Sequence, residues 1–203
     1  MAKKKKVNPY NVPIDPRSVD VDALITEATV NNVLHGWLLF LGSLSYYYET
    51  TTKSILHIWQ EVNEYSQVFA EENPSVDYHM ETVERVLGLS DPYKKISASG
   101  IKTLGDLNKF KNRLHKKGLY AVFSLIAYPL IAKKILEESI IKDVFHRAYE
   151  LDEDILEKRI SFRDLQWVLV DEYHILLCAD GADARLDEVG DDFDFEKFCE
   201  RND

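Results

Sequence analysis

Two histidines each follow an aspartate by three residues, a spacing that puts two metal-ligating side chains on one face of a helix. They are His146, after Asp143 and before Glu150, and His174, after Asp171. Helical di-iron proteins pair Glu-x-x-His motifs with a further Glu from each of two other helices. Both acids are Asp here, and no inward-facing Glu pair is evident. The sequence therefore predicts surface Asp–His pairs, no metal site and no cofactor.

A second group of chemically capable residues is acidic. Glu71 and Glu72 precede Glu81 and Glu84, an arrangement that resembles the clusters with which helical nucleotide pyrophosphatases hold Mg²⁺. The last residue is Glu rather than Asp, and Asn73-Pro74 breaks the helix between the pairs. Exposed helix acids are the favoured interpretation, and a Mg²⁺-dependent nucleotide hydrolase is an alternative.

The segment from residue 94 to 117 is basic, although the net charge of the chain is −10. Its glycine-containing turn at 96–107 resembles motifs that hold phosphate through backbone amides, and a further basic run lies at 3–6. A solvated face is the simplest explanation, but nucleic-acid binding is an alternative function. The candidate contacts are Lys94, Lys95, Lys102, Lys109, Lys111, Arg113, Lys116 and Lys117.

Two aromatic segments are candidates for binding a protein. Three consecutive tyrosines cannot all face the interior from one helix, so at least one should be exposed. Acids alternate with aromatics near the C-terminus, which predicts a disordered tail or a short docking peptide. The candidate contacts are Tyr46, Tyr47, Tyr48, Asp191, Asp192, Phe193, Asp194 and Phe195.

Other functional signatures are missing from the sequence. It holds no Ser/His/Asp or Cys/His arrangement, phosphate-binding Gly loop or dinucleotide fingerprint, which predicts that the protein is not an enzyme. The two cysteines, Cys178 and Cys199, form neither a disulfide framework nor a zinc pattern. The charge-free run 28–48 contains many polar residues and the apolar run 119–132 is short, so neither predicts a membrane span. A cytoplasmic protein that does not enter the membrane is expected.

Helical periodicity dominates the rest of the chain, and the predicted fold is an all-α helical bundle. Helices are expected to begin after Ser18 or Asp20, Ser75, Thr103 and Ser161, with Gly118 separating one helix from the apolar run that follows. The expected organisation is a basic extended arm, a helical unit, a basic linker, a second helical unit and an acidic tail. These occupy residues 1–19, 20–90, 91–102, 103–177 and 178–203.

The two helical units share a layout, which indicates an internal duplication. In each unit a glycine begins an apolar run, and a serine followed by two apolar residues comes later. In the first unit these are Gly36-Trp37-Leu38-Leu39-Phe40 and Ser54-Ile55-Leu56, and in the second they are Gly118-Leu119-Tyr120-Ala121-Val122-Phe123 and Ser139-Ile140-Ile141. The alternative is that any two helical segments align loosely by period. A true duplication predicts two related three-helix units around a pseudo-twofold axis.

Three stretches resemble a family of short, uncharacterised proteins from temperate phages of Gram-positive bacteria. They are Lys5-Lys6-Val7-Asn8-Pro9, Ile58-Trp59-Gln60-Glu61-Val62-Asn63-Glu64-Tyr65-Ser66 and Ile160-Ser161-Phe162-Arg163-Asp164-Leu165 with Asp171-Glu172-Tyr173-His174-Ile175. The resemblance covers about a third of the chain and carries no functional residue, and His174 stands where the family has Gly. It implies a phage or prophage origin.

These observations together predict a non-enzymatic phage-type protein that modulates or masks a host or phage protein. The partner's identity and the oligomeric state do not follow from the sequence.

Overall fold

The structure is a computed structural model that describes residues 9–15, 19–72, 76–89, 100–180 and 183–202. Within these residues a 3-10 turn at Pro9–Asn11 is followed by seven α-helices and one two-stranded sheet. The helices are α1 (Val21–Tyr47), α2 (Thr52–Glu72), α3 (Val76–Leu87), α4 (Leu104–Ala132), α5 (Glu138–Leu156), α6 (Phe162–Tyr173) and α7 (Phe195–Asn202). The strands are β1 (Ile175–Asp180) and β2 (Asp183–Glu188). The predicted all-α bundle is confirmed.

Local capping explains where three of the helices begin. The Asp20 carboxylate accepts a hydrogen bond from the Ala23 amide at 3.0 Å. Thr103 with Asp106, and Ser161 with Asp164, form reciprocal capping boxes at the starts of α4 and α6. Hydrogen bonds from the capping hydroxyls hold the pKa values of Asp106 and Asp164 below their usual range. These caps were predicted from sequence, whereas Ser18 and Ser75 lie outside the described residues.

The centre of the bundle is the contact between α1 and α4. A Cβ atom at Gly36 would lie 2.5 Å from Val122 Cγ1, and one at Gly118 would lie 2.5 Å from Asn32 Nδ2. The contacting residues advance along both helices in the same direction, so α1 and α4 run parallel. Glycine at both crossing points lets the helices approach closely.

The remaining helices cover this pair so that each half of the chain covers the long helix of the other half. α1 packs chiefly against α4, α5 and α6, whereas α4 packs chiefly against α1, α3 and α2. Buried side chains from both expected units therefore belong to one continuous apolar core that extends from Trp37 to Leu177. The boundary between residues 20–90 and 103–177 does not separate two cores.

The helix break expected at Gly118 does not occur, and a proline inside the same helix does not end it. α4 continues through Gly118, which is buried against Ala28 and Asn32, because the close approach of α1 requires a small residue there rather than a chain break. Pro129 lies in the last turn of α4, and the helix runs on to Ala132. The Lys133 amide donates to the Pro129 carbonyl at 2.9 Å, which completes the helix end.

The C-terminal segment is ordered rather than a disordered tail. β1 and β2 pair antiparallel, with Leu177 opposite Leu186. α7 then folds back, and Phe195 is buried in a small core with Val170 and Leu176. The acids point outward while the aromatic side chains face this core, so the mixed composition reflects an amphipathic segment.

The described part of the N-terminal arm is also attached to the bundle. The Ile14 amide donates to the Lys102 carbonyl at 3.0 Å, and the Leu104 amide donates to the Val12 carbonyl at 2.9 Å. Residues 12–14 thus extend alongside the start of α4. The lysine run at 3–6 lies outside the described residues.

Candidate functional site

Three potential metal ligands from three different helices meet at one side of the α1–α4 contact. His35 comes from α1, His115 from α4 and Asp152 from α5. One ligand atom from each lies within 4.8 Å of the others, the only such group of three or more His, Cys, Asp or Glu side chains in the described part of the chain. We call these residues the His–His–Asp cluster.

The Asp152 carboxylate lies between the two imidazoles. Its Oδ1 atom is 3.0 Å from His115 Nε2, a hydrogen bond, and 3.7 Å from His35 Nε2, which is too long for one. The ring of Phe162 at the start of α6 meets His35 edge-on, with the ring centroids 3.6 Å apart. The cluster is thereby covered by an apolar ring on its His35 side.

Burial leaves part of this cluster without hydrogen-bond partners. The Asp152 side chain is 1% exposed and its Oδ2 atom makes no hydrogen bond; nor does the buried His35 Nε2 atom. Burial, reinforced by the neighbouring His115, lowers the pKa of His35 to about 4, although Asp152 acts in the opposite direction. His35 is therefore neutral near pH 7 and has a lone pair available to an electrophile.

A cavity of about 160 Å³ adjoins the cluster at His115. The wall includes Asn32, whose Nδ2 atom donates to the carbonyls of Ala28 and His115, whereas its Oδ1 atom is buried without a hydrogen bond. Glu27 and Lys111 are the charged side chains of the lining. His115 thus connects the cluster to a partly polar cavity.

Comparisons with protein-family models, with curated proteins and with solved structures find no match to this chain. The site must therefore be interpreted from its own geometry. Among the helices of the described residues, none combines the length and apolar character needed to cross a bilayer.

The tyrosine candidates are exposed together at the C-terminal end of α1. Tyr46, Tyr47 and Tyr48 are 72%, 43% and 37% exposed, and we call them the tyrosine ledge. The Arg147 guanidinium carbon lies 5.1 Å from the Tyr46 ring centroid, within the range of a cation–π contact. The sequence predicted that at least one of these rings is exposed, and all three are.

A groove of about 630 Å³ adjoins the ledge at Tyr48. The connection between α4 and α5 forms its other wall, with apolar side chains flanked by charges. The lining consists of Tyr48, Ile131, Lys134, Ile135, Leu136, Glu137, Glu138, Ser139 and Ile140. Tyr48 therefore belongs both to the ledge and to the lining of the groove, which mixes apolar and charged side chains.

The C-terminal candidates separate into two groups. Phe195 is 6% exposed and Phe193 packs beside it against Phe198, so both rings bind their own chain. The acids Asp191, Asp192 and Asp194 remain on the surface. Burial of Phe195 against its own chain removes that ring from the predicted docking peptide, while docking through the remaining residues stays a prediction.

The basic candidates divide between two faces of α4. Helical spacing puts four of them within an arc of about 100° around the axis of α4: Lys109, Arg113, Lys116 and Lys117. Lys111 lies on the opposite side of the helix and lines the cavity at His115. Lys116 is paired with Glu153 at 3.2 Å. Lys102 precedes the helix and is exposed, and Lys94 and Lys95 lie outside the described residues.

The residues with metal-like spacing remain apart from one another. Asp143, His146 and Asp171 are exposed, and His174 lies 3.7 Å from Asp191 rather than next to Asp171. Among the acids considered for Mg²⁺, Glu81 is exposed and Glu84 partly buried on α3, whereas the side chains of Glu71 and Glu72 lie outside the described residues.

Sequence reasoning missed the His–His–Asp cluster, although one signal was present. The apolar stripe of α5 passes through Val144, Phe145, Ala148 and Leu151, and Asp152 lies on the same side of the helix. A carboxylate on a buried stripe needs a partner. The identity of that partner depended on how α1, α4 and α5 assemble, which no local spacing encodes.

Proposed function

We propose that this protein is not an enzyme and acts by binding another protein, which it modulates or masks. The observation that carries the proposal is the tyrosine ledge with Arg147 and the adjoining groove. Tyrosine and arginine are over-represented among the residues that dominate protein–protein binding energy, and aromatic rings lose little conformational entropy on binding.

The chemistry of this surface defines the partner surface that would fit it. Apolar side chains at Ile131, Ile135 and Ile140 suit an aliphatic or aromatic side chain inserted into the groove. Charges of both signs lie at the edge of the groove, on Lys134, Glu137 and Glu138, and Arg147 is paired with Glu150 of its own chain. We therefore expect a protein segment with an apolar anchor flanked by both basic and acidic residues.

The resemblance to short phage proteins extends this proposal to the origin and location of the protein. It suggests a phage-encoded chain that acts in the cytoplasm of a bacterial host on a host or phage protein. The resemblance itself rests on the three sequence stretches given above.

The experiment compares capture by the native protein with capture by a ledge variant. Tyr46→Ser with Tyr47→Ser removes two exposed rings and should leave the fold intact, since neither side chain is in the core. A partner captured from nuclease-treated Gram-positive lysate is then purified and titrated. We expect the double variant to bind it at least about tenfold more weakly, the loss of about 1.4 kcal/mol.

Tyr10→Ser is the matched control for the ledge variant. Tyr10 is 59% exposed and contacts the start of α4, at the opposite end of the parallel α1–α4 pair. Its substitution should change the affinity less than about twofold. Equal affinities for the native protein and the double variant, with circular dichroism unchanged, would refute the ledge as the binding surface.

Nucleic-acid binding is the second candidate, and the basic face of α4 favours it. Lys109, Arg113 and Lys117 follow one another at helical spacing on one side of this helix. Such a row can follow a phosphate backbone, although the net charge of −10 opposes nonspecific association.

Charge removal on this face tests the second candidate. Replacing Lys109, Arg113 and Lys117 by Gln should weaken binding to double-stranded or single-stranded nucleic acid. The slope of the logarithm of the binding constant against the logarithm of the salt concentration should also become shallower, by about one unit per lost phosphate contact. Lys133→Gln, at the other end of α4, is the control. A salt-insensitive complex, or equal binding by the triple variant, would contradict the proposal.

We also propose that the halves arose by internal duplication. α3 and α6 are both 12 residues long, and they end beside left-handed residues, Gly88 at φ +65° and His174 at φ +54°. α1 is covered by α5 and α6, while α4 is covered by α2 and α3. This exchange of covering helices supports two related units around a pseudo-twofold axis.

A further inference from the structure

We propose that His35, His115 and Asp152 form a binding site for one divalent transition-metal ion of the zinc class. The site is independent of the tyrosine ledge and of any protein partner.

The positions of the ligand atoms are close to those that such an ion requires. Bonds of about 2.0–2.2 Å at tetrahedral angles place neighbouring ligand atoms roughly 3.3 Å apart. Asp152 Oδ1 is 3.0 Å from His115 Nε2 and 3.7 Å from His35 Nε2. The ligand atoms of His35 and His115 lie within 4.8 Å of each other, so side-chain shifts of about an ångström or less would bring all three into a first coordination sphere.

Charge and burial also favour an ion at this position. A carboxylate that is 1% exposed is costly to bury, and one of its oxygen atoms makes no hydrogen bond. A divalent cation would compensate the charge and occupy a free lone pair. The buried His35 Nε2 atom also makes no hydrogen bond and lies 3.7 Å from the same carboxylate.

The donor set defines the class of metal. Two imidazoles and one carboxylate suit Zn²⁺, Co²⁺ or Ni²⁺, whereas Mg²⁺ and Ca²⁺ prefer oxygen ligands alone. Three protein ligands leave a fourth position for water or a small anion. The cavity lined by His115 offers space for that ligand.

A bound ion would connect three helices from both halves of the chain. α1 and α5 come from different halves, and α4 packs along α1. An ion that binds the folded state alone stabilises it by mass action. We therefore expect metal-dependent stability as a second signature besides binding itself.

The test uses the full chain without an affinity tag, stripped of metal with a chelator. Co²⁺ is titrated in, and the visible d–d absorption of tetrahedral Co²⁺ is recorded, followed by displacement with Zn²⁺. We expect one ion per chain and a higher unfolding temperature with Zn²⁺. Asp152→Asn, which keeps the shape of the side chain, should weaken Co²⁺ binding at least about 100-fold.

His35→Gln is the second ligand variant, in case Asp152→Asn does not fold. The matched controls are His57→Gln and His146→Gln, which remove exposed histidines and should leave the Co²⁺ titration unchanged. Failure of the folded native chain to bind Co²⁺ would overturn the site and leave a structural His–Asp hydrogen bond. Co²⁺ binding that persists in both ligand variants, or disappears in the controls, would also overturn it.

Discussion

Replacing Phe123 by alanine should lower the free energy of unfolding by about 3–5 kcal/mol, the range for removing a buried aromatic side chain. Phe123 is fully buried on α4, with ring centroids 5.4 Å from Phe145 and 5.5 Å from Tyr149 on α5. A Cβ atom at Gly36 would lie 3.7 Å from it, so the ring also borders α1. Urea denaturation followed by circular dichroism measures the change.

The control is Leu156→Ala, because Leu156 is 54% exposed at the end of α5. It should cost less than about 0.5 kcal/mol. Phe123→Leu should cost less than Phe123→Ala, since it leaves a smaller cavity. A change below about 1 kcal/mol in Phe123→Ala would show that this aromatic contact is not central to the core.

The same experiment addresses how the two halves are coupled. Because the covering helices are exchanged between halves, neither half encloses its own long helix. The native chain and the Phe123 variant should therefore each unfold in a single transition monitored by tryptophan fluorescence and by circular dichroism. Two separated transitions would instead indicate units that fold independently.

Features set by nearby residues were predicted well from the sequence. The starts of α1, α4 and α6 follow from Asp20, Thr103 and Ser161, whose capping bonds span only three residues. Their side chains accept hydrogen bonds from backbone amides of the first helical turn, which have no partner within the helix. Such interactions do not depend on the rest of the fold.

Features set by tertiary packing were not predictable in this way. Gly118 suggested a helix break, but its role is to admit Asn32 from α1. Residues 175–177 were expected in the second helical unit, but they begin β1; the apolar run Ile175–Cys178 is too short for its period to distinguish a strand from a helix. The acids after this run suggested disorder. Pairing with β2 and burial of Phe195 decide that region.

The candidate sites illustrate the same limit. Helix geometry predicted at least one exposed ring in the tyrosine ledge, since three consecutive side chains cannot share one buried face. The exposure of all three depends on the packing around the end of α1. The His–His–Asp cluster brings together residues that are far apart in sequence, and no short motif marks them. Its existence depends on the parallel alignment of α1 with α4, and on α5 crossing both.

The stability of the metal-free protein should fall as the pH decreases from 6.5 towards 4, partly because of His35. Its pKa is about 4 in the folded protein, against 6.5 for an exposed histidine. Between these values the unfolded chain binds one proton that the folded chain does not, so acid favours unfolding. The loss is complete near pH 4 and amounts to about 2–3 kcal/mol.

The measurement compares the native chain with His35→Gln by urea denaturation at pH 7.5 and at pH 4.5, with a chelator present throughout. All other ionisable side chains remain in both proteins, so the difference between them reports the effect of removing the His35 imidazole. Because glutamine does not titrate, the variant should lose about 2 kcal/mol less than the native chain between these pH values. Equal losses would mean that His35 takes up a proton in the folded state as readily as in the unfolded chain. The folded protein would then not shield this imidazole from water.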